Sequence, residues 1–199
     1  MPSATFISAE AIGLLEIDGL PRALRAQDAA LKRAPVKILA CAPVSPNKVV
    51  LLMTGDVASV EESLAAAEDG LGSRRIDRLF LPGVHPAVIA AVRGDRLVPN
   101  ADPLGIFELA TVATTISAAD LAVKATEVRI ERMHLATGFG GRGFFTLRGA
   151  QADIEEASRF LGASLGEALL DAEVIAAPHA ELLEGAFRRP WNLDPADRG

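Results

Sequence analysis

The chain has 199 residues, 50% of them hydrophobic, and a formal net charge of −6 at pH 7. This length allows one large domain or two smaller ones, and the acidic balance argues against a general nucleic-acid-binding protein. No apolar run reaches the ~18–20 residues of a membrane span, and the single cysteine excludes an intrachain disulfide. The amino terminus lacks a secretory signal pattern, so we expect a cytoplasmic protein with no nucleic-acid or membrane partner.

The first half of the sequence predicts alternating strands and helices, with Asp56 as a helix N-cap. In chain order we expect a strand from Ile12 to Ile17, a helix with an apolar face of Leu20, Leu24, Gln27, Leu31 and Ala34, strands over 36–44 and 48–54, a helix with an apolar face of Val57, Val60, Leu64, Ala67 and Leu71, a strand over 76–81 and a short helix over 86–92.

The second half repeats this order, with strands expected from Leu104 to Leu109 and over 128–136, 142–148 and 170–175, and a short helix over 179–186. Residues of several types recur in sequence: Gly13, Glu16, Asp28, Lys32, Gly55 and His85 match Gly105, Glu108, Asp120, Lys124, Gly149 and His179. This tandem duplication in the order β-α-β-β-α-β predicts an α+β protein of two ferredoxin-like domains, unpermuted. We expect the first domain at 1–93, a linker at 94–102, the second domain at 103–187 and a C-terminal tail at 188–199.

Taken together, the repeated residues resemble the bacterial microcompartment shell-domain family. The resemblance is carried by the strands AIGLLE (Ala11–Glu16) and PLGIFE (Pro103–Glu108), by the D-x-x-x-K stretches ending at Lys32 and Lys124, and by the Pro-His element at His179. Two units in one chain resemble the tandem-domain shell proteins, and most closely the propanediol-utilisation type that carries an iron–sulfur cluster.

The resemblance implies a structural protein and not an enzyme. It implies a homotrimer that imitates a hexamer, with six domains around a central pore for small polar or anionic metabolites. Such tiles assemble with other hexameric and pentameric shell proteins around encapsulated enzymes, which places the protein in the shell of a cytoplasmic microcompartment.

Two loops correspond to the pore loops of that family. The first comprises Ser45, Pro46, Asn47 and Lys48, and the second comprises Thr137, Gly138, Phe139, Gly140, Gly141 and Arg142. Lys48 and Arg142 hold equivalent places in the repeat, so a trimer would bring up to six cations near the axis, where they would favour anions. Alternatively, the two side chains point into solvent or pair with nearby carboxylates.

The cluster cysteine of the iron–sulfur type lies three residues before the lysine of the first loop, where this chain has Ser45. Serine replaces a thiolate ligand poorly, so we expect no iron–sulfur cluster, no other cofactor and no metal. Cys41 lies four residues earlier, roughly 13 Å from the loop tip at ~3.3 Å per strand residue. We expect it to be a small core residue.

Four residues match the tile-edge positions of the family: Lys32, Lys124, His85 and His179. The two lysines could instead be solvated residues near a helix C-terminus, where the helix dipole favours them. The arginine that usually accompanies the edge histidine is absent at both sites.

No HExxH, CxxC, GxSxG or Walker motif is present. His134 is expected to be a strand residue near the pore or an interface. Two roles are open for Trp191 in the C-terminal tail: docking within the trimer, which we favour, and anchoring a lumenal partner. Because ferredoxin-like domains serve several functions, the alternative function is a regulatory protein that binds a small molecule.

Overall fold

A computed structural model of the chain describes residues 11–98, 101–179 and 182. The expected tail at 188–199, including Trp191, lies outside the described residues, as does most of the short helix expected over 179–186. The remaining elements form two domains of the same design.

Each domain contains a four-stranded antiparallel sheet and two long helices. The first contains β1 (Ala11–Asp18), α1 (Leu20–Arg33), β2 (Lys37–Val44), β3 (Lys48–Gly55), α2 (Val57–Glu68), β4 (Arg75–Pro82) and the short helix α3 (Pro86–Val92). The second contains β5 (Leu104–Leu109), α4 (Val112–Ala125), β6 (Arg129–Leu135), β7 (Gly143–Arg148), α5 (Gln151–Leu165) and β8 (Leu169–Ile175).

The sheets have the strand orders β2-β3-β1-β4 and β6-β7-β5-β8. These are equivalent orders, and every neighbouring pair is antiparallel. The expected α+β class, with two unpermuted ferredoxin-like domains, is therefore confirmed.

The two long helices of each domain pack on one face of its sheet. In the first domain, α1 turns small residues toward the sheet, and Ala23, Ala26 and Ala30 are buried there with Leu15 and Ile17 of β1. Asp56 caps α2 as expected, because its Oδ1 accepts the backbone N–H of Ser59 at 2.9 Å. Hydrogen bonding to the Ser59 side chain, and then to its backbone N–H, lowers the pKa of the Asp56 carboxyl.

The opposite face of the first sheet is covered by the second domain. Ile12 and Leu14 of β1 belong to one buried cluster with Val112 and Ile116 of α4. Because strand side chains alternate between faces, β1 is buried from both sides, by its own helices and by a helix of the neighbouring domain.

The apolar stripe expected on α1 is present, but it does not face the sheet of the first domain, to which α1 belongs. Leu20, Leu24 and Leu31 are about half exposed, at 47%, 52% and 50%. Val112 and Ile116 of α4 are the equivalents of Leu20 and Leu24 in the repeat, and both are completely buried. Equivalent stripes on the two helices are thus covered in one case and open in the other.

The central strands carry the repeated glycines because helices approach them closely. A Cβ atom added at Gly105 would lie 2.6 Å from Ile154 Cγ2 on α5 and 2.8 Å from a ring carbon of Phe107. Both contacts are too short for carbon atoms, and both neighbours are buried. The glycine is needed to let α5 lie against β5.

Gly105→Ala should therefore overpack the second domain and lower the free energy of unfolding by about 1–3 kcal/mol. Gly162→Ala is the matched control on α5, where an added Cβ meets nothing within 4 Å; helix propensity should make it stabilising by roughly 0.5–1 kcal/mol. Urea unfolding of both variants measures the difference. Equal changes in the free energy of unfolding for the two variants would contradict the close approach of α5 to β5.

Candidate functional site

The two expected pore loops meet at the boundary between the domains. Lys48 Nζ donates a hydrogen bond to the Gly141 carbonyl oxygen at 2.8 Å, from the first domain to the second. A Cβ atom added at Gly141 would lie 3.0 Å from the Ser45 carbonyl oxygen and 3.0 Å from Pro46 Cδ. The structure thus brings the loops into contact at one end of the domain boundary.

Lys48 is held in a buried charge cluster. Its ammonium pairs with Glu16 of β1, and the exposed fractions of the two side chains are 7% and 0%. Glu16 Oε1 also accepts the backbone N–H of Ala113 at 3.0 Å, in the first turn of α4, where the helix dipole favours a negative charge. Lys48 therefore offers no free cation to a pore.

The equivalent pair of the second domain lies at the surface. Arg142 donates to Glu108 Oε1 at 2.7 Å, and the exposed fractions of these side chains are 56% and 25%. Within the chain, Lys48 and Arg142 therefore both pair with nearby carboxylates, which is the alternative given above. Of the two cations expected at the pore, only Arg142 remains exposed.

The second loop combines exposed and anchored residues. Thr137, Gly138 and Gly140 are exposed, whereas Gly141 is buried. Phe139 lies edge-on to His134, at 6.1 Å between ring centroids. The loop glycines have φ values of 70°, 58° and 81°, a conformation that favours glycine.

His134 supports this loop from β6. Its ring stacks on Phe144 at 5.0 Å between centroids. Its Nε2–H donates to the Thr137 carbonyl at 2.8 Å, because a carbonyl oxygen can only accept. His134 is thus a strand residue beside the second loop, as expected.

The residues near the first loop do not fit an iron–sulfur cluster. Ser45 is exposed but carries a hydroxyl, and Cys41 is partly buried against the core of the first domain. Burial raises the pKa of the Cys41 thiol, which disfavours the thiolate that would bind iron. Among the described residues, no group of three or more His, Cys, Asp or Glu side chains could hold a metal ion.

Two of the four expected edge residues lie together at the domain boundary. The His85 backbone N–H donates to Asp120 Oδ1 at 2.8 Å, and Lys124 Nζ lies 2.5 Å from Asp120 Oδ2. Lys32 forms the equivalent pair with Asp28, at 2.6 Å and exposed. His179 lies beyond β8, the last strand of the second domain.

Sequence reasoning did not assign roles to three residues of this boundary: Glu16, Ala113 and Asp120. The recurrence of Glu16 as Glu108, and of Asp28 as Asp120, was the available signal. In the structure, Glu16 and Asp120 each accept a backbone N–H from the other domain.

Comparison with known proteins agrees with this geometry. The model of the BMC domain matches residues 11–94 and again 103–178. The chain belongs to the BMC domain family. It is 35% identical over 175 residues to the bacterial microcompartment shell protein PduT of Citrobacter freundii, covering 87% of this chain and 95% of PduT.

Two further proteins are similar. The crystal structure of a microcompartment protein from Desulfitobacterium hafniense DCB has a TM-score of 0.80 and 36% identity, and the match covers 88% of this chain and 98% of the other. The carboxysome shell protein CcmK2 of Thermosynechococcus vestitus is 34% identical over 59 residues, which are 30% of this chain and 58% of CcmK2.

The family assigns this chain a structural role in the shell of a bacterial microcompartment. Its members are shell components and not enzymes, as the sequence predicted. Within the described part of the chain, none of the helices has the length and apolar character needed to cross a bilayer.

The two equivalent ion pairs should respond differently to loss of their cation. Lys48→Met would leave Glu16 buried without its charge partner, which should cost about 3–5 kcal/mol of unfolding free energy. Arg142→Met is the matched control and should cost ~1 kcal/mol or less, because its pair is solvated. Chemical denaturation measures both values, and a Lys48→Met cost as small as the Arg142→Met cost would argue against a tightly packed cluster.

The donor chemistry at the first loop predicts an iron-free protein. Protein purified without oxygen should be colourless and contain no stoichiometric iron, since Ser45 replaces the thiolate. Visible absorption spectroscopy and iron analysis test this expectation. A brown protein with iron in proportion to chain would contradict it.

Proposed function

We propose that three copies of the chain close into a ring of six domains, forming a shell tile with a central pore for small polar or anionic metabolites. The observation that carries this proposal is the unequal exposure of equivalent surfaces. The stripe of α4 is buried on the first sheet, whereas the matching stripe of α1 is open.

The surface that would receive α1 is also open. Leu14 and Val50 on the outer face of the first sheet are buried, at 0% and 7% exposure. Their equivalents on the second sheet, Ile106 and Phe144, are only partly buried in the single chain. The chain therefore has an open helix stripe at one end and a less covered sheet face at the other.

Complementary surfaces at opposite ends form head-to-tail interfaces, which close into a ring when the rotation between units allows it. If each contact between chains repeats the contact within a chain, α1 of one copy covers the second sheet of the next. The ring then contains a single type of domain contact in two versions, one within chains and one between them.

The polar contacts support the same arrangement. Asp120 accepts the His85 N–H within the chain, and the equivalent residues are Asp28 and His179. In the proposed ring, Asp28 accepts the backbone N–H of His179 of the partner subunit. The expected edge residues Lys32 and Lys124 would then lie in equivalent places beside these contacts.

The proposed pore is lined by the exposed parts of the two loops. Ser45, Asn47 and Thr137 offer hydroxyl and amide groups, and Arg142 adds a cation. These groups favour polar and anionic solutes. In this proposal, the other residues of the two loops determine the shape of the loops and not the charge of the pore.

Shell proteins assemble with other shell proteins in microcompartments. For this chain, we propose hexameric and pentameric tiles as neighbours and encapsulated enzymes as contents. The domain bounds 1–93 and 103–187, with the linker 94–102 and the tail 188–199, remain part of this proposal. None of the comparisons supports a regulatory protein that binds a small molecule.

Leu24→Glu tests the proposed ring. A carboxylate buried in an apolar boundary costs on the order of 3 kcal/mol or more, so this variant should remain a single chain. The unmodified protein should have three times the 20.8 kDa chain mass in solution by light scattering at micromolar concentration. Leu24→Met is the conservative control and should still form the three-chain particle.

A monomeric unmodified protein would overturn the proposal. So would a Leu24→Glu variant that retains the mass of the unmodified assembly. Circular dichroism of each variant confirms that the chain is folded before its mass is interpreted.

A further inference from the structure

Within the chain, one cation joins the two pore loops. Lys48 Nζ reaches out of the Glu16 cluster and donates to the Gly141 carbonyl oxygen of the neighbouring domain, at 2.8 Å. Gly141 is the last residue but one of the second loop. The contact therefore fixes where that loop lies relative to the first domain.

Every member of this contact has an equivalent in the repeat. Glu108 and Arg142 correspond to Glu16 and Lys48, and both pairs are formed. Asn47 corresponds to Gly141, since each residue directly precedes the cation of its domain. The two residues share a left-handed backbone, with φ of 49° at Asn47 and 81° at Gly141.

We propose that Arg142 of one protomer donates a hydrogen bond to the backbone carbonyl of the partner's Asn47, and thereby positions the partner's first loop at the pore. This inference rests on the proposed ring, in which the contact between chains repeats the contact within a chain. It makes Arg142 a positioning residue of the pore rim, in addition to the positive charge that its exposed side chain brings to the proposed pore.

The residues that differ between the contact within the chain and the proposed contact between chains fit this role. Glu16 receives two donors, the Lys48 ammonium and the Ala113 N–H. The residue equivalent to Ala113 is Pro21 in α1, which has no N–H to give to a neighbouring Glu108. The second version therefore lacks one donor that the first possesses.

Arginine supplies what is missing. A guanidinium has five N–H donors in a fixed plane, whereas an ammonium has three on one atom. Arg142 already donates to Glu108 from one terminal nitrogen, which leaves donors on its other nitrogens for a carbonyl across the boundary. Replacing Lys by Arg, where Ala is replaced by Pro, thus keeps the bond to the carbonyl across the boundary and provides further N–H donors for a carboxylate that receives no backbone N–H.

Hydrogen exchange measured by mass spectrometry tests the proposal on two matched variants. In the assembled particle, Arg142→Gln should raise amide exchange in the peptide containing Ser45, Asn47 and Lys48 about tenfold, the size expected for losing a hydrogen bond to a charged group. Arg142→Lys should restore most of the protection, because lysine makes the equivalent contact within the chain.

Lys48→Gln is the control that acts within one chain. It should raise exchange in the second loop equally in the assembled particle and in dilute, dissociated protein. In contrast, the unmodified first loop should lose its protection on dilution, because its contact comes from another copy.

Two results would overturn the inference while leaving the ring intact. One is an assembled Arg142→Gln particle whose first loop exchanges at the unmodified rate. The other, which needs no variant, is an unmodified first loop that exchanges equally in assembled and dilute protein. Failure of the unmodified protein to assemble at all would instead overturn the proposed function.

Discussion

The fold depends on burying a sheet from both sides. The first sheet has apolar residues on both faces, and the two long helices of its own domain cover only one of them. The second face is covered by α4 of the neighbouring domain, through residues such as Ile116. Because each fully buried aliphatic side chain contributes about 1.5–3 kcal/mol, a domain of this design is complete only beside another domain. The same requirement applies to the second sheet, whose outer face the chain itself leaves less covered.

Duplication has allowed the two versions of this contact to differ in chemistry while keeping their geometry. A buried Lys48–Glu16 pair anchors the contact within the chain, and an exposed Arg142–Glu108 pair takes the equivalent place. A ring of identical domains would have to use one version at every boundary. Two versions in one chain allow a tightly packed boundary beside a more solvated one, and two loops of different length at the proposed pore.

The sequence alone predicted the strands, the long helices, the Asp56 cap and the equivalence of Lys48 with Arg142. These features depend on local periodicity, capping and repetition, which a single sequence contains. The partner of the α1 stripe was not predictable, because periodicity identifies an apolar face but not the surface that covers it. The burial of Lys48 was also missed, since Glu16 comes from another strand and the Ala113 N–H that completes the cluster comes from the other domain.

The most direct test of the repeated contact is a structure of the assembled particle at side-chain resolution by electron cryomicroscopy. The account predicts three chains in a ring, with Leu24 of each copy lying on the outer face of the next copy's second sheet, beside Ile106. A particle in which two α1 helices pair with each other, or in which Leu24 stays exposed to solvent, would contradict it.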